Sequence, residues 1–455
     1  MSDGPGALDG VRRRWDAAAT RIFGNDPLLV AAVMLGIYVL FTAMTLVGPS
    51  GGDLGAIVSN LQAVTFWTAL YAMMALALNL HWGYTGLFNI GVAGFMAVGV
   101  YAFAALTVPP SASPPGLGLP LVVGIAGGML AAAFVGVLTA LPALRLRADY
   151  LAIVTVALSE IIRRSLLSPE LEEFTLFSNL GFVPDVTLGS GAGRGINMPT
   201  NPSIPVKSVL YTDPGNPAAG GRTVVGKAVL GAAESAGVRE TVVSQFAYTL
   251  VLVAVVVLFY WLLVRVGNSP FGRVLKAIRE DELVANSLGK DTRVFKIKVF
   301  ALGCALMGLG GILWEAQRGF TDASVTTFRP LQTFYIFVAL IIGGAGSNTG
   351  SVLGGALFAG LLFQGPLFVR RIVAHLLNLG DPPSTFVGAA AGLFSLELGG
   401  FLAYTVNNIS ELRFVFLGLV LIYLMQRRPT GLLGHRKEAA ASVDLMERPG
   451  GESDE

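Results

Sequence analysis

Gly343-Gly-Ala-Gly-Ser-Asn-Thr-Gly350 has the glycine density of a loop that could cradle a phosphate, but it lacks the lysine that must reach the phosphate oxygens. It also lies between two apolar stretches. His-Glu-x-x-His does not occur, and no spacing assembles a nucleophile, a base and an orienting acid. A single cysteine, Cys304, excludes an intramolecular disulfide framework and a thiolate zinc site, while His81, His375 and His435 are too scattered for a histidine metal site. The expectation is a non-enzyme with no metal and no cofactor. If such a chain does work across a membrane, the energy must come from a partner or an ion gradient.

The remaining ionisable groups in apolar surroundings are few. Glu160 is the one acid well inside such a stretch, and Arg163 and Arg164 follow it by three and four residues. That spacing reads as a helical ion pair near an outer interface, against the alternative of a functional buried carboxylate. Glu315 and Glu397 fall near expected interfaces, where water reaches them. His81 reads as a solvated or capping residue at the cytoplasmic end of a span, and Cys304, between Gly303 and Gly308, as a packing residue.

The elements that must position these groups are set by composition. Of the 455 residues, 53% are apolar and 13% charged, whereas soluble domains carry about 25% charged residues. Lipid is therefore much of the solvent, and the chain is expected to be an all-α polytopic membrane protein of about ten transmembrane helices. Apolar segments fall near 28–47, 61–80, 87–108, 119–141, 150–167, 246–264, 297–317, 331–343, 350–369 and 411–426. A further one near 386–404 reads as interfacial or re-entrant. The 57 glycines let helix backbones approach where lipid supplies no hydrophobic drive between helices.

Alternating these segments from a cytoplasmic amino terminus puts nineteen basic residues inside and seven in short outer stretches, the bias expected of cytoplasmic loops. Residues 1–27 then form a cytoplasmic segment, 28–167 a first transmembrane half, and 168–245 an external Gly/Pro-rich loop. A second half spans 246–427 with an external or interfacial insertion at 371–410, and 428–455 form a cytoplasmic tail. The net charge of +2 gives no pull toward nucleic acid.

Eight of the basic residues lie between Arg265 and Lys298. Within that stretch, Ser269-Pro270 is a helix start, with a hydroxyl to accept orphan amides and a ring that presets the backbone. Phe271, Leu275 and Ile278 follow at spacings of four and three and lay one apolar stripe on a short helix. Arg273, Arg279, Glu280, Asp281 and Glu282 form its polar rim, and Gly289 suits the left-handed closing position of a second helix. The expectation is an amphipathic helix pair at 270–289 on the cytoplasmic face.

The pattern Phe-Gly-Arg-x-Leu-x-Ala-Ile-Arg-Glu-Asp-Glu, then Ala285, Ser287, Leu288 and Gly289, resembles the coupling segment of permease subunits of branched-chain amino acid ABC importers. Further motifs match in order: Ala77-Leu-Asn-Leu-x-x-Gly-Tyr-x-Gly-Leu-Phe-x-Ile-Gly91, Tyr150-x-Ala-Ile-Val-Thr155, Leu340-Ile-Ile-Gly-Gly-Ala-Gly-Ser347 and Arg428-Pro-Thr-Gly-Leu432. The resemblance implies two cytoplasmic ATP-binding subunits that receive helices 270–289, a homologous second permease, and an external substrate-binding protein that makes the selection. Permeases for sugars, urea or amides, and an ion-coupled secondary transporter, are the alternatives.

Gly83, Gly86, Val92 and Gly94 are matched at a constant offset of 260 by Gly343, Gly346, Val352 and Gly354. Paired glycine interruptions suit broken helices in two inverted-repeat-like halves. Asn79, Tyr84, Thr85, Gly86 and Asn89 of the first half then face Ser347, Asn348 and Thr349 of the second as candidate pathway lining, and Thr155, from the second family motif, joins them.

Overall fold

A computed structural model describes residues 26–143, 148–176, 186–198, 200, 202–217, 220–377, 381–394 and 398–434. The expectations for residues 1–25, Glu397, His435 and the tail beyond 434 lie outside these residues. The described chain is all-helical apart from two small ribbons.

Long apolar runs become long helices because a backbone without water must bond to itself. The helices of the first part are α1 (Asp26–Val47), α2 (Leu54–Thr85), α3 (Val92–Thr107), α4 (Leu121–Ala143) and α5 (Ala148–Leu166). Next come α6 (Ile204–Lys207), α7 (Val224–Ser235) and α8 (Glu240–Asn268), then the short pair α9 (Pro270–Glu280) and α10 (Glu282–Ser287). The rest is α11 (Thr292–Ala316), α12 (Pro330–Gly343), α13 (Asn348–Leu357), a π-helical segment Phe358–Gln364, α14 (Gly365–Leu376), α15 (Phe386–Phe394), α16 (Leu398–Asn407) and α17 (Ile409–Arg427).

Six helical stretches are long and apolar enough to cross a membrane: Asp26–Val47, Leu54–Thr85, Leu121–Pro142, Glu240–Asn268, Thr292–Ala316 and Asn348–Leu376. α3 and α12 are apolar but shorter. The segment expected at 386–404 is divided between α15 and α16, of 9 and 10 residues, each too short to span.

α2 lies at the centre, with a continuous run of buried residues from Ala69 to Leu80. Glycine sets the closest contacts around it. A side chain on Gly99 of α3 would meet the Gly308 Cα of α11 at 2.5 Å, and one on Gly136 of α4 would meet Cys304 at 2.8 Å. Cys304 is thus a small buried packing residue.

Residues 168–245 are less irregular than their proline content predicts. A ribbon pairs β1 (Phe174–Leu176) with β2 (Val186–Leu188), and β3 (Ile196–Asn197) pairs with β4 (Phe320–Thr321) beyond α11. The 12-residue helix α7 is capped by Thr223, whose hydroxyl accepts from the Gly226 amide. α8 begins at Glu240, six residues before the apolar run that predicts it, because polar residues extend a helix at its end at little cost.

Candidate functional site

The ends of α2, α8, α12 and the starts of α3, α11 and α13 gather at one end of the bundle, beside α9 and α10. α2 stops after Thr85 because Gly86 takes a left-handed conformation (φ 70°) and returns its amide to the Trp82 carbonyl. α12 stops at Gly343, and Gly344 and Gly346 (φ 105° and 94°) turn the chain into α13, which Ser347 caps through the Gly350 amide. The two interruptions touch: a side chain on Gly83 would meet the Gly346 nitrogen at 2.6 Å.

A polar network bridges them. The Asn79 side chain accepts from the Gly346 amide (2.7 Å) and donates to Asn348 (3.1 Å), and Asn348 donates to the Tyr84 hydroxyl (2.8 Å). Tyr84 in turn donates to the Leu263 carbonyl of α8 (3.3 Å). Asn79, Tyr84, Thr85, Asn89, Thr155 and Asn348 are all buried. The expected juxtaposition of Asn79 and Tyr84 with Asn348 is present, but these groups bond to one another and to backbone. In this arrangement they form a joint between the two interruptions.

Thr155, Asn89 and Thr85 serve the first interruption, whereas Ser347 caps α13 and Thr349 bonds to Asp26 and Tyr260. The Thr155 hydroxyl accepts from the Ile90 amide (3.0 Å), the Asn89 side-chain oxygen from the Gly91 amide (2.8 Å), and Thr85 donates to the His81 carbonyl (2.6 Å). His81 is a correction to the solvated residue expected at this position. It is fully buried, its ring stacks on Phe300 at 4.7 Å, and Nε2 lies 3.0 Å from the Phe300 carbonyl. Because a carbonyl only accepts, Nε2 carries the hydrogen, and Nδ1 accepts from Asn89 (3.1 Å).

The helix pair is fixed to the bundle at several points. Ser269 caps α9 through the Gly272 amide, Asp281 caps α10 through the Leu283 and Val284 amides, and Gly289 closes the pair at φ 77°. Phe271 stacks on Phe295 of α11 with centroids 5.3 Å apart, and Glu282 pairs with Lys296 while accepting from Thr292. Leu275 and Ile278, the apolar stripe that the spacing predicts, are buried against the bundle. An amphipathic helix turns its apolar side to the nearest apolar surface, and here that surface is its own protein. The exposed apolar residues are instead Leu283, Val284 and Leu288 of the second helix, 78%, 53% and 72% exposed. Arg273, Glu280 and Asp281 are exposed, as expected of a rim.

Arg279 is exposed with that rim but also reaches the bundle. Its guanidinium donates through Nη1 to the Gly83 carbonyl, and a side chain on Gly346 would meet the same nitrogen at 2.6 Å. One residue of the helix pair therefore touches both glycine interruptions. Sequence spacing alone cannot reveal this contact, because it joins positions 196 residues apart.

At the opposite end, Glu160 accepts from Arg163 (2.7 and 2.9 Å) and Arg164 (2.7 Å), the ion pair its spacing predicts. Glu315 is a second correction: it is completely buried, not in water, and pairs with Arg318 at 3.1 Å. Beside it opens a cleft lined by Trp67, Tyr71, Trp314, Tyr335, Phe363 and Phe414, with Gln332 and three arginines, Arg318, Arg329 and Arg413. None of these stands out in the sequence as a set, since they come from five separate segments. Among the described residues no cluster of metal-ligating side chains occurs.

A bundle of several apolar helices that are long enough to cross lipid, with polar groups reserved for joints between them, defines a multi-pass membrane protein. The chain belongs to the family described as branched-chain amino acid transport system / permease component, whose model matches residues 60–365. It is 32% identical over 290 residues to the high-affinity branched-chain amino acid transport system permease protein LivM of Escherichia coli strain K12, covering 64% of this chain and 60% of that protein. The LivM protein of Salmonella typhimurium is 31% identical over the same length and shares. A probable branched-chain amino acid transport permease protein LivM of Methanocaldococcus jannaschii is 27% identical over 321 residues, 65% of this chain and 78% of that one. The chain thus spans about 60% of the two enterobacterial relatives it matches. No solved structure matches it.

Proposed function

We propose that the chain is the membrane-spanning permease subunit of an ATP-binding-cassette importer for branched-chain or related amino acids. It works with a homologous second permease, two cytoplasmic ATP-binding subunits and an external substrate-binding protein. Family membership supports the transport class, and the printed names of the relatives support the substrate class. The observation that carries coupling is the helix pair: it is anchored in the bundle by Leu275 and Ile278 and offers Leu283, Val284 and Leu288 to a partner. An ATP-binding subunit that grips the exposed residues moves α9 as a rigid lever, and Arg279 passes that motion to both glycine interruptions. An ion-coupled reading would need free intramembrane carboxylates, whereas Glu160 and Glu315 are both held by arginine.

About ten spans follow if α3, α5, α12 and α17 cross beside the six long stretches, in two inverted-repeat-like halves with broken, glycine-rich helices at 86–91 and 344–347. Alternation from Asp26 then leaves both termini and the helix pair cytoplasmic, and residues 168–245 outside. The direct test is uptake of labelled leucine in a strain lacking the chain: loss of uptake, restored by the wild-type gene, is expected, and undiminished uptake refutes the amino acid assignment. For coupling, Leu283→Asp with Leu288→Asp should insert normally yet lose co-purifying ATPase. Retention of the ATPase at wild-type level refutes the docking role.

A further inference from the structure

The cleft at the end away from α9 and α10 has a volume of about 420 Å³, within the ~300–1,000 Å³ range of small-molecule sites. Its walls are aromatic. Trp67 lies 5.8 Å from Trp314 and 4.9 Å from Phe363, and Tyr335 stacks on Phe414 at 6.2 Å. Phe363 is delivered by the π-helical turn Phe358–Gln364, a backbone form that recurs at functional sites.

Arg413 enters this cleft from α17 with its guanidinium over the rings of Phe363 (5.1 Å) and Phe414 (5.3 Å). Its Nε is buried and has no hydrogen-bond partner, and among the described residues the side chain makes no hydrogen bond or ion pair. Ring faces attract a cation but accept none of its hydrogen bonds in the guanidinium plane, so a desolvated N–H here lacks an acceptor. The other lining arginines are engaged, Arg318 with Glu315 and Arg329 with the Ser324 carbonyl, and among the described residues no Asp or Glu lines the cleft. Such a lining suits an anion that fits between rings.

We infer that this cleft binds an amino acid with an apolar side chain, its carboxylate on Arg413 and its side chain against Trp67, Trp314 and Phe363. The inference rests on the importer reading and gives that reading a substrate position. A planar carboxylate matches the guanidinium fork, and the aromatic walls bury an aliphatic side chain, which inorganic phosphate or a lipid headgroup does not offer. Gln332, near the Tyr71 hydroxyl (3.5 Å), adds a neutral polar group beside the carboxylate.

Intrinsic fluorescence of the purified full-length chain in lipid nanodiscs reads the site, because Trp67 and Trp314 form its walls. L-leucine and 4-methylpentanoate, which keeps the carboxylate, should give saturable changes. Isopentylamine, which lacks it, and inorganic phosphate should not. Arg413→Gln should weaken leucine binding by about tenfold or more, with Arg413→Lys intermediate, as loss of a charge-assisted hydrogen bond requires. Trp314→Phe should lose much of the signal. Should Arg413→Gln fail to fold, the shift in Arg413→Lys decides. Equal leucine affinity in the arginine variants, a phosphate response matching that of leucine, or no response to any probe overturns the site. Binding of 4-methylpentanoate without leucine uptake by the assembled transporter overturns the importer reading alone.

Discussion

The two glycine interruptions meet at one point but are built differently. The first closes on Gly86 and resumes at Val92 behind a shell of side chains: Asn89 on the Gly91 amide, Thr155 on the Ile90 amide, and the buried His81. The second is held by backbone packed on backbone. A side chain on Gly343 would meet the Gly350 oxygen at 1.8 Å, one on Gly354 the Ala339 oxygen at 1.9 Å, and one on Gly344 the Gly434 nitrogen at 2.4 Å. The first interruption can therefore absorb a change by moving side chains, whereas the second can do so only by moving chain. That difference marks the second as the stiff member and the first as the adjustable one, with Asn79 and Arg279 as the links between them.

The largest effect is expected where backbone leaves no room. Gly343→Ala should destabilise the bundle by about 3 kcal/mol or more, the upper range for overpacking. Gly86→Ala meets only the Arg279 side chain, at 3.8 Å, and carries the left-handed backbone penalty of about 1–2 kcal/mol. Thermal midpoints of the two variants in detergent measure the contrast, and equal midpoints would break the comparison.

Asn348→Leu should fall next. It removes the acceptor of the Asn79 side-chain nitrogen and one donor to Tyr84, and a buried amide that loses its acceptor costs about 1–3 kcal/mol. The midpoint should drop, and a second substitution, Asn79→Leu, should add less than its own separate effect because the pair is already broken. Full additivity in that cycle would show that the network does not join the interruptions.

Arg279→Gln should change stability by about 1 kcal/mol or less, since the side chain is only partly enclosed. Its effect should appear as uncoupling: ATP hydrolysis by the assembled transporter continues while leucine uptake falls. Uptake and hydrolysis that fall in parallel would assign Arg279 to assembly instead.

The smallest effect concerns a region in contact with neither interruption. Arg222 pairs with Glu234 and Glu240 in the 168–245 segment and holds the Glu234 carboxyl below its ordinary value of 4.5. A depressed folded value means that the contribution is present above pH 4.5 and is lost as the pH falls below it. Because the pair is exposed, protease sensitivity of this segment should rise only modestly between pH 5 and 3, and Glu234→Gln should abolish that dependence. A larger loss, or one shared by the helix bundle, would tie the segment to the core.

Much of this was legible in the chain order. Length of apolar run identifies the six long stretches, the Ser269-Pro270 start and Gly289 close delimit the helix pair, and the constant offset of 260 finds both interruptions. These are local properties, set by hydrogen-bond satisfaction and backbone freedom within a few residues. His81 and Glu315 differ from their expected exposure for one reason. Each sits near the end of an element, and burial there depends on what another element lays over it.

Sequence by itself determined that lipid is the solvent, that no catalytic constellation can be assembled by spacing, and which segments break or turn. Tertiary structure alone decided which face of α9 is inside, that Arg279 reaches Gly83 across 196 residues, and that the Arg413 Nε stands among rings without an acceptor among the described residues. The physical reason is range. Propensity and periodicity act within a helical turn or two, but the environment of a side chain is fixed by neighbours from distant segments.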